Sequence, residues 1–370
     1  MKDILPIEWI KSNFVPLRLA ARIVIASVLT FVLCHALGLK QSQWAVLTAV
    51  VVMQSSVGAS LKVTFDRFVG SIGGALWGVC VLLVLPLDTA LARGVALAIT
   101  LIPLALVAAF KPVYRIAPIT GAILLLAPMM VGTTAWQAGL NRILEVGIGS
   151  VVALAVALVV FPVRAHEALA KVVGRALGLL ADMINQMSEA AAGRDDRKAR
   201  ADLHREIRQA IAQTESTAEE AMRERISHLV HAPDPQPICR TLRRLHNDLT
   251  MMGRTVDTPL SEMSLAPLAQ TAERATAAIA AYLRSSAEAL ASRQQAPPLD
   301  EVKQALAIYT EATAQARLAG VTRDLPDKII GRIFGLSFGF VQLNENLEDL
   351  ALRTDEFAVV KVKRQRRVPV

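Results

Sequence analysis

Arg18, Arg22, Arg67, Arg93, Arg115 and Arg142 lie within or at the edges of long apolar stretches, and Glu145 follows Arg142 by one helical turn. An ionisable side chain at the centre of a bilayer costs roughly 2.5–3.5 kcal/mol on insertion scales, so such groups are kept for a partner or a path. A guanidinium stays charged at every relevant pH and presents a fork of donors that matches a carboxylate. The chemistry these residues suit is the holding of an anion. Arg18, Arg93 and Arg115 read as snorkelling to lipid phosphates. Arg22, Arg67 and Arg142 read as facing an internal path, with Glu145 placed to neutralise Arg142, and Glu145 and His35 are the candidates for exchanging a proton. The excess of arginine over acid points to an anionic passenger. Gln54 and Ser55, in a polar break at the end of an apolar run, add hydrogen-bonding groups to the candidate binding set.

Helices must position these residues. Six apolar runs fill the first 162 residues, at about Leu17–Leu39, Gln43–Gly58, Phe68–Leu85, Leu91–Phe110, Ile116–Val131 and Ile143–Phe161. A spanning helix needs about 20 apolar residues, within a range of about 17–25. Four runs reach that length; the second and fifth are short and carry polar or proline residues. A hydrophobic content of 53% with only 5% aromatic suits packed Ala, Leu and Val helices and not a barrel. The fold expected is all-α: six transmembrane helices over residues 1–163, a cytoplasmic helical bundle over 164–360, and a basic tail over 361–370.

Charge placement orients the spans. Lys2, Lys11, Arg18 and Arg22 precede or open the first, Lys62 and Arg67 lie in the second connection, Lys111 and Arg115 in the fourth, and Arg164 and Lys171 after the sixth. The alternate connections hold Lys40, Arg93 and Arg142. By the positive-inside rule both termini and the C-terminal half are cytoplasmic, in a multi-pass membrane protein. Residues 1–165 carry 12 basic and 5 acidic side chains against 28 and 27 beyond, so the basic excess belongs to the membrane half and does not indicate nucleic-acid binding. No cleavable signal is expected, because Pro6, Glu8 and Lys11 interrupt the N-terminus. Cys34, Cys80 and Cys239 have no metal-ligand spacing and read as small buried side chains.

The third run follows Asp66-Arg67 with Gly70, Gly74 and Gly78. The sixth follows Asn141-Arg142 with Glu145, Gly149, Ala153 and Ala157. Small residues every fourth position let another helix approach closely. Arg67 aligns with Arg142, Gly58 nearly with Gly132, and Pro128 falls opposite Gln54. Three helices later the chain runs the opposite way across the bilayer, so the alignment suggests a pair of inverted three-helix repeats. Paired broken helices in such a plan mark a midplane site. The same glycines, serines and glutamine also serve as plain interhelical packing and hydrogen-bond groups.

From Arg164 onward the pattern is amphipathic helix: about His166–Ala192, Asp195–His231, Ile238–Val256, Leu265–Arg293, a fifth after Pro297-Pro298, and a sixth from Pro326 through Arg353, with Pro233–Pro237 as a break. No Gly-x-x-x-x-Gly-Lys loop is present to cradle phosphates. His204, His228, His231 and His246 lack completing ligands at metal spacing, and no nucleophile elbow or dyad stands out. An enzyme is not expected, nor is a cofactor or a metal. The basic tail from Lys361 to Arg367 carries five positive charges, a composition that suits either a solvated end or anionic lipid.

The stretch from Trp44 to Ser60 (WAVLTAVVVMQSSVGAS), with Asp66-Arg67-Phe-Val-Gly-Ser-Ile-Gly-Gly-Ala75, resembles the signature of the fusaric acid resistance, or aromatic acid exporter, superfamily. The segment from Phe334 to Leu350 resembles its final cytoplasmic helix more loosely. The resemblance implies a half-size secondary exporter of aromatic carboxylic acids or related organic anions, working as a homodimer, with a periplasmic adaptor as a partner of some relatives. Related plant proteins are malate-type anion channels in which basic residues line the pore, so the resemblance also leaves a channel open. A membrane scaffold whose cytoplasmic bundle recruits partners is the reading from another class.

Overall fold

The computed structural model describes residues 14–39, 41–85, 87–131, 134–160, 164–191, 193–194, 196–227, 232–256, 266–321 and 325–365. Lys2, Lys11, Lys40, Gly132, Pro162, His228 and His231, which entered the sequence reading, lie outside the described residues, as does the end of the basic tail. The regular elements described are all helical. The chain divides into two compact units, Met1–Arg164 and Ala165–Val370.

The first unit contains α1 (Phe14–Ala36), α2 (Ser42–Val52), α3 (Val57–Val84), α4 (Ala90–Phe110), a 3₁₀ turn at Pro112–Tyr114, α5 (Ala117–Val131) and α6 (Ala135–Val159). Four of these, α1, α3, α4 and α6, are long and apolar enough to cross a membrane. Helix α2 has 11 residues, about 16 Å of rise, and α5 has 15, about 22 Å. The polarity of the helices is inside-out. On α1 the buried face is Arg22, Ala26, Thr30 and Cys34, while Val24, Val28, Phe31 and Val32 are exposed. That arrangement suits lipid, where small and polar groups meet between helices and bulky apolar ones face the acyl chains.

Two boundaries differ from the sequence reading. The polar break Met53–Ser56 ends α2 ahead of the expected end of its run at Gly58, and α3 begins at Val57, well ahead of the third apolar run. Ser56 is the cause: its side chain accepts the Ala59 N–H and caps the new helix. Lys62 and Arg67 therefore sit within α3 and not in a connection, and Arg67 is a buried helical residue. Arg142 likewise lies two turns inside α6, which starts on a Thr134–Gln137 capping box. Helix α4 carries Pro103, which cannot donate to the carbonyl four residues earlier. Trp77 of α3 donates its indole N–H to that Ile99 carbonyl at 3.3 Å, so the vacancy is filled by a neighbour.

Two crossings in this unit have the same construction. Gly74 of α3 is pressed on α5 so closely that a Cβ would overlap the Ala117 carbonyl oxygen and stand 2.9 Å from Thr120 Cβ. Gly149 of α6 is pressed on α2 in the same way, against the Ala45 carbonyl oxygen and, at 2.8 Å, Thr48 Cβ. Each long helix thus meets a short one through a glycine, an alanine carbonyl and a threonine three residues on.

The second unit contains α7 (Ala165–Ala191), α8 (Arg197–Ile226), α9 (Pro235–Val256), α10 (Ala266–Ser292), α11 (Asp300–Leu318) and α12 (Asp327–Gln365). The prolines from Pro235 open α9 instead of forming a loop, with Asp234 accepting the Gln236 N–H ahead of them. Helix α12 runs past Arg353 to Gln365, so the first part of the basic tail is helical. Helix α7 is central, with Leu169, Val173, Leu177, Leu180 and Ile184 in one core with Leu242, Leu245 and Leu249 of α9, Leu283 of α10 and Leu343, Leu347 and Leu350 of α12. Polar groups of the Phe334–Leu350 segment fasten α12 to α9: Asn346 donates to Asp248 at 2.6 Å, and Asp349 accepts from Thr241 at 2.6 Å.

The start of α7 is clasped within this unit. Both oxygens of the buried Glu224 carboxylate accept the Ala165 N–H at 3.0 Å. The His166 ring stacks on Phe357 with centroids 4.4 Å apart. Burial, followed by the nearby Arg293 charge, lowers the His166 pKa to about 4. The folded protein therefore holds a neutral imidazole that the unfolded chain protonates below about 6.5. Stability from this group is intact above pH 6.5 and is lost as the pH falls toward 4, by about 3 kcal/mol in the limit. The expected result is that His166→Phe, which keeps the stack, narrows the drop in thermal midpoint of the full chain between pH 7 and 4.5. An unchanged drop counts against the assignment.

Candidate functional site

Helices α2, α3 and α6 of the first unit bring together the residues that carry charge. Arg142 and Glu145, three apart on α6, form an ion pair at 3.7 Å, with both side chains almost fully buried. That separation exceeds a hydrogen bond. The Trp44 ring of α2 covers the Arg142 guanidinium at 5.0 Å from its centroid, a cation–π contact that holds the group without satisfying its donors. One turn on, Thr48 donates to the Trp44 carbonyl and accepts from Arg67 Nε of α3 at 3.3 Å. Arg67 and Arg142 are within electrostatic reach of one another. A small pocket opens beside them, lined by Gln41, Ile123, Leu124, Asn141, Arg142 and Glu145.

The electrostatics of this group are unfinished. Arg142 Nε and Nη1 are buried with no hydrogen-bond partner. Buried guanidinium donors normally find acceptors, because an unsatisfied charged group bears its full desolvation cost. The described residues of the first unit include three buried arginines, Arg22, Arg67 and Arg142, and one buried acid, Glu145. The arrangement can hold an anion; among the described residues no group of three His, Cys, Asp or Glu side chains is placed to hold a metal.

Arg22 stands apart from this cluster. It is fully buried on α1 and donates through Nη1 to the Ser55 backbone carbonyl at 3.4 Å, while Nε and Nη2 have no partner. Met53, in the same break, shares a buried cluster with Ala153 and Ala157 of α6, roughly 16–22 Å along that helix from Arg142. Gln54 turns its amide back to the Val51 carbonyl at 2.9 Å, and its backbone N–H donates to Ser60. These bonds close off α2. The Ser55 contact to Arg22 is made by the main chain, and the Ser55 residue itself is exposed. Pro128 is in α5, and its side chain lies outside the description. Trp44, Thr48, Gln41 and Asn141 were not assigned from the sequence. A tryptophan in a conspicuous motif was the available signal, but its partner lies about a hundred residues away.

Long apolar helices that turn small and polar residues, buried guanidiniums among them, inward define a multi-pass helical membrane protein. The chain belongs to the fusaric acid resistance protein family, whose profile matches residues 16–329. That family points to membrane transport or efflux of organic compounds, and its members are not enzymes. No curated protein sequence matches the chain.

Proposed function

We propose that the protein is a secondary carrier of the bacterial inner membrane that exports small organic anions, aromatic carboxylates foremost. The observation that carries the reading is the Arg142 guanidinium, buried beside a pocket with donors that no protein group accepts. A carboxylate entering there would complete those bonds bidentately. Arg67 adds attraction, Arg22 with Gln54 and Ser55 at the α2–α3 break forms a second station along the path, and Glu145 is the group that exchanges a proton.

In this reading all six helices of the first unit belong to the membrane as two inverted repeats of three, with both termini and the second unit cytoplasmic. The matched crossings at Gly74 and Gly149 support the repeat. They align Ala45 with Ala117 and Thr48 with Thr120, which sets Gln54 opposite Leu126 instead of Pro128. The working unit is a homodimer, since the resemblance to double-length exporters implies two copies, and a periplasmic adaptor is its expected partner. The test is export by purified protein in proteoliposomes against a panel of carboxylates under an imposed pH or voltage gradient. Movement of none of them rejects the reading. Currents far faster than a carrier cycle, without proton coupling, would establish the anion-channel alternative. Loss of a bound partner on deletion of residues 166–370, with transport unaffected by Arg67→Ala, would favour the scaffold.

A further inference from the structure

The residues around Glu145 set a charge count as well as a place. On α6 it pairs with Arg142. From α3 Arg67 is within electrostatic reach of that partner, Arg142, and the two positive charges repel. From α1 the Cys34 thiol is within electrostatic reach of Glu145, and from α2 the uncharged Trp44 and Gln41 close the site. Helix α5 contributes Ile123 and Leu124 to the pocket and no charge. With Glu145 ionised, the cluster is two guanidiniums and one carboxylate, a net charge of one positive in a poorly solvated setting. Net charge is costly to bury, and the cost rises with each unit left uncompensated.

We propose that Glu145 makes this site select monoanions over dianions. The inference rests on the organic-anion reading. One monocarboxylate brings the cluster to neutrality and satisfies the idle Arg142 donors. A dicarboxylate overshoots, leaving a buried excess of negative charge beside Glu145. Glu145 thus acts as a resident carboxylate that occupies one of two anion equivalents, and the passenger supplies the other. Removing its charge vacates that equivalent and shifts the site toward dianions.

The test compares binding of benzoate and terephthalate, rings of similar size carrying one and two carboxylates, to the full chain in lipid nanodiscs at pH 7.5. The wild-type protein is expected to bind benzoate the more tightly. Glu145→Gln is expected to shift the benzoate-to-terephthalate affinity ratio toward terephthalate by about 10–100-fold, as one unit charge roughly 6–12 Å away implies at an effective dielectric constant near 20. Glu145→Asp, which restores the charge, restores the order. Arg67→Gln, which lowers the cluster charge without touching Glu145, widens the preference for benzoate and decides the matter if the Gln variant does not fold. A wild-type preference for terephthalate, or a ratio unmoved in both Glu145→Gln and Arg67→Gln, overturns the inference while leaving anion binding intact. Binding of neither probe overturns the carrier reading together with it.

Discussion

Replacing Arg142 by glutamine is expected to cut carboxylate export in proteoliposomes by about 100-fold or more, since truncating one side of a buried charged contact costs about 2–5 kcal/mol. The same change strands Glu145, which is 3% exposed and has Arg142 as its ion-pair partner. An uncompensated buried charge is destabilising by about 3–5 kcal/mol, so the single variant loses stability as well as transport. The two effects separate in the double variant Arg142→Gln, Glu145→Gln. Neutralising both members is expected to restore the thermal midpoint, because no carboxylate is left stranded, but not transport. Arg142→Lys keeps the charge and loses the planar fork and its stacking on Trp44, so it should retain only part of the rate. Export by the double variant at the wild-type rate would remove Arg142 from the path.

The second large effect is steric. Gly149→Ala adds one methyl where the Ala45 carbonyl oxygen already stands, and Thr48 Cβ lies 2.8 Å away. Backbone cannot yield as a side-chain tip does, so α2 must move off α6. Overpacking of this kind costs about 1–3 kcal/mol. Thr48 carries the contact to Arg67, and Trp44, one turn earlier on the same helix, covers Arg142. Displacing α2 therefore disorders the charged cluster, and transport falls beyond what the lost stability explains. Gly147→Ala is the control: a Cβ there meets nothing within 4 Å. It should leave the thermal midpoint unchanged or raise it, as alanine is the better helix former by about 1 kcal/mol. Equal midpoints for the two variants would show that the α2–α6 crossing is looser than described.

Much of this site was readable in one dimension. The spacing of Arg142 and Glu145 places them on one helix face whatever surrounds them, and they do pair. Small residues repeating at four-residue intervals marked the faces of α3 and α6 that meet other helices, and Gly74 and Gly149 are among those contacts. Other features misled for local reasons. Lys62 and Arg67 looked like a connection because charge usually ends an apolar run; Ser56 instead nucleates a helix that carries Arg67 inward, where Thr48 receives it. Gln54, in the polar break, also uses its side-chain amide to close the end of its own helix.

The sequence by itself determined which segments are apolar and that the first half holds more cations than acids. Those properties depend on neighbours along the chain and on the period of the helix. Tertiary structure decided which charges share one buried site and which donors stay unmet. Trp44, Arg67 and Arg142 come from three helices, and only the close approach allowed at Gly149 brings α2 and α6 together around them. A guanidinium has the same formula on a lipid-facing edge as in a closed pocket. What distinguishes Arg142 from Arg93 is the removal of water by its neighbours, and that follows from how the helices pack, which spacing along the chain does not encode.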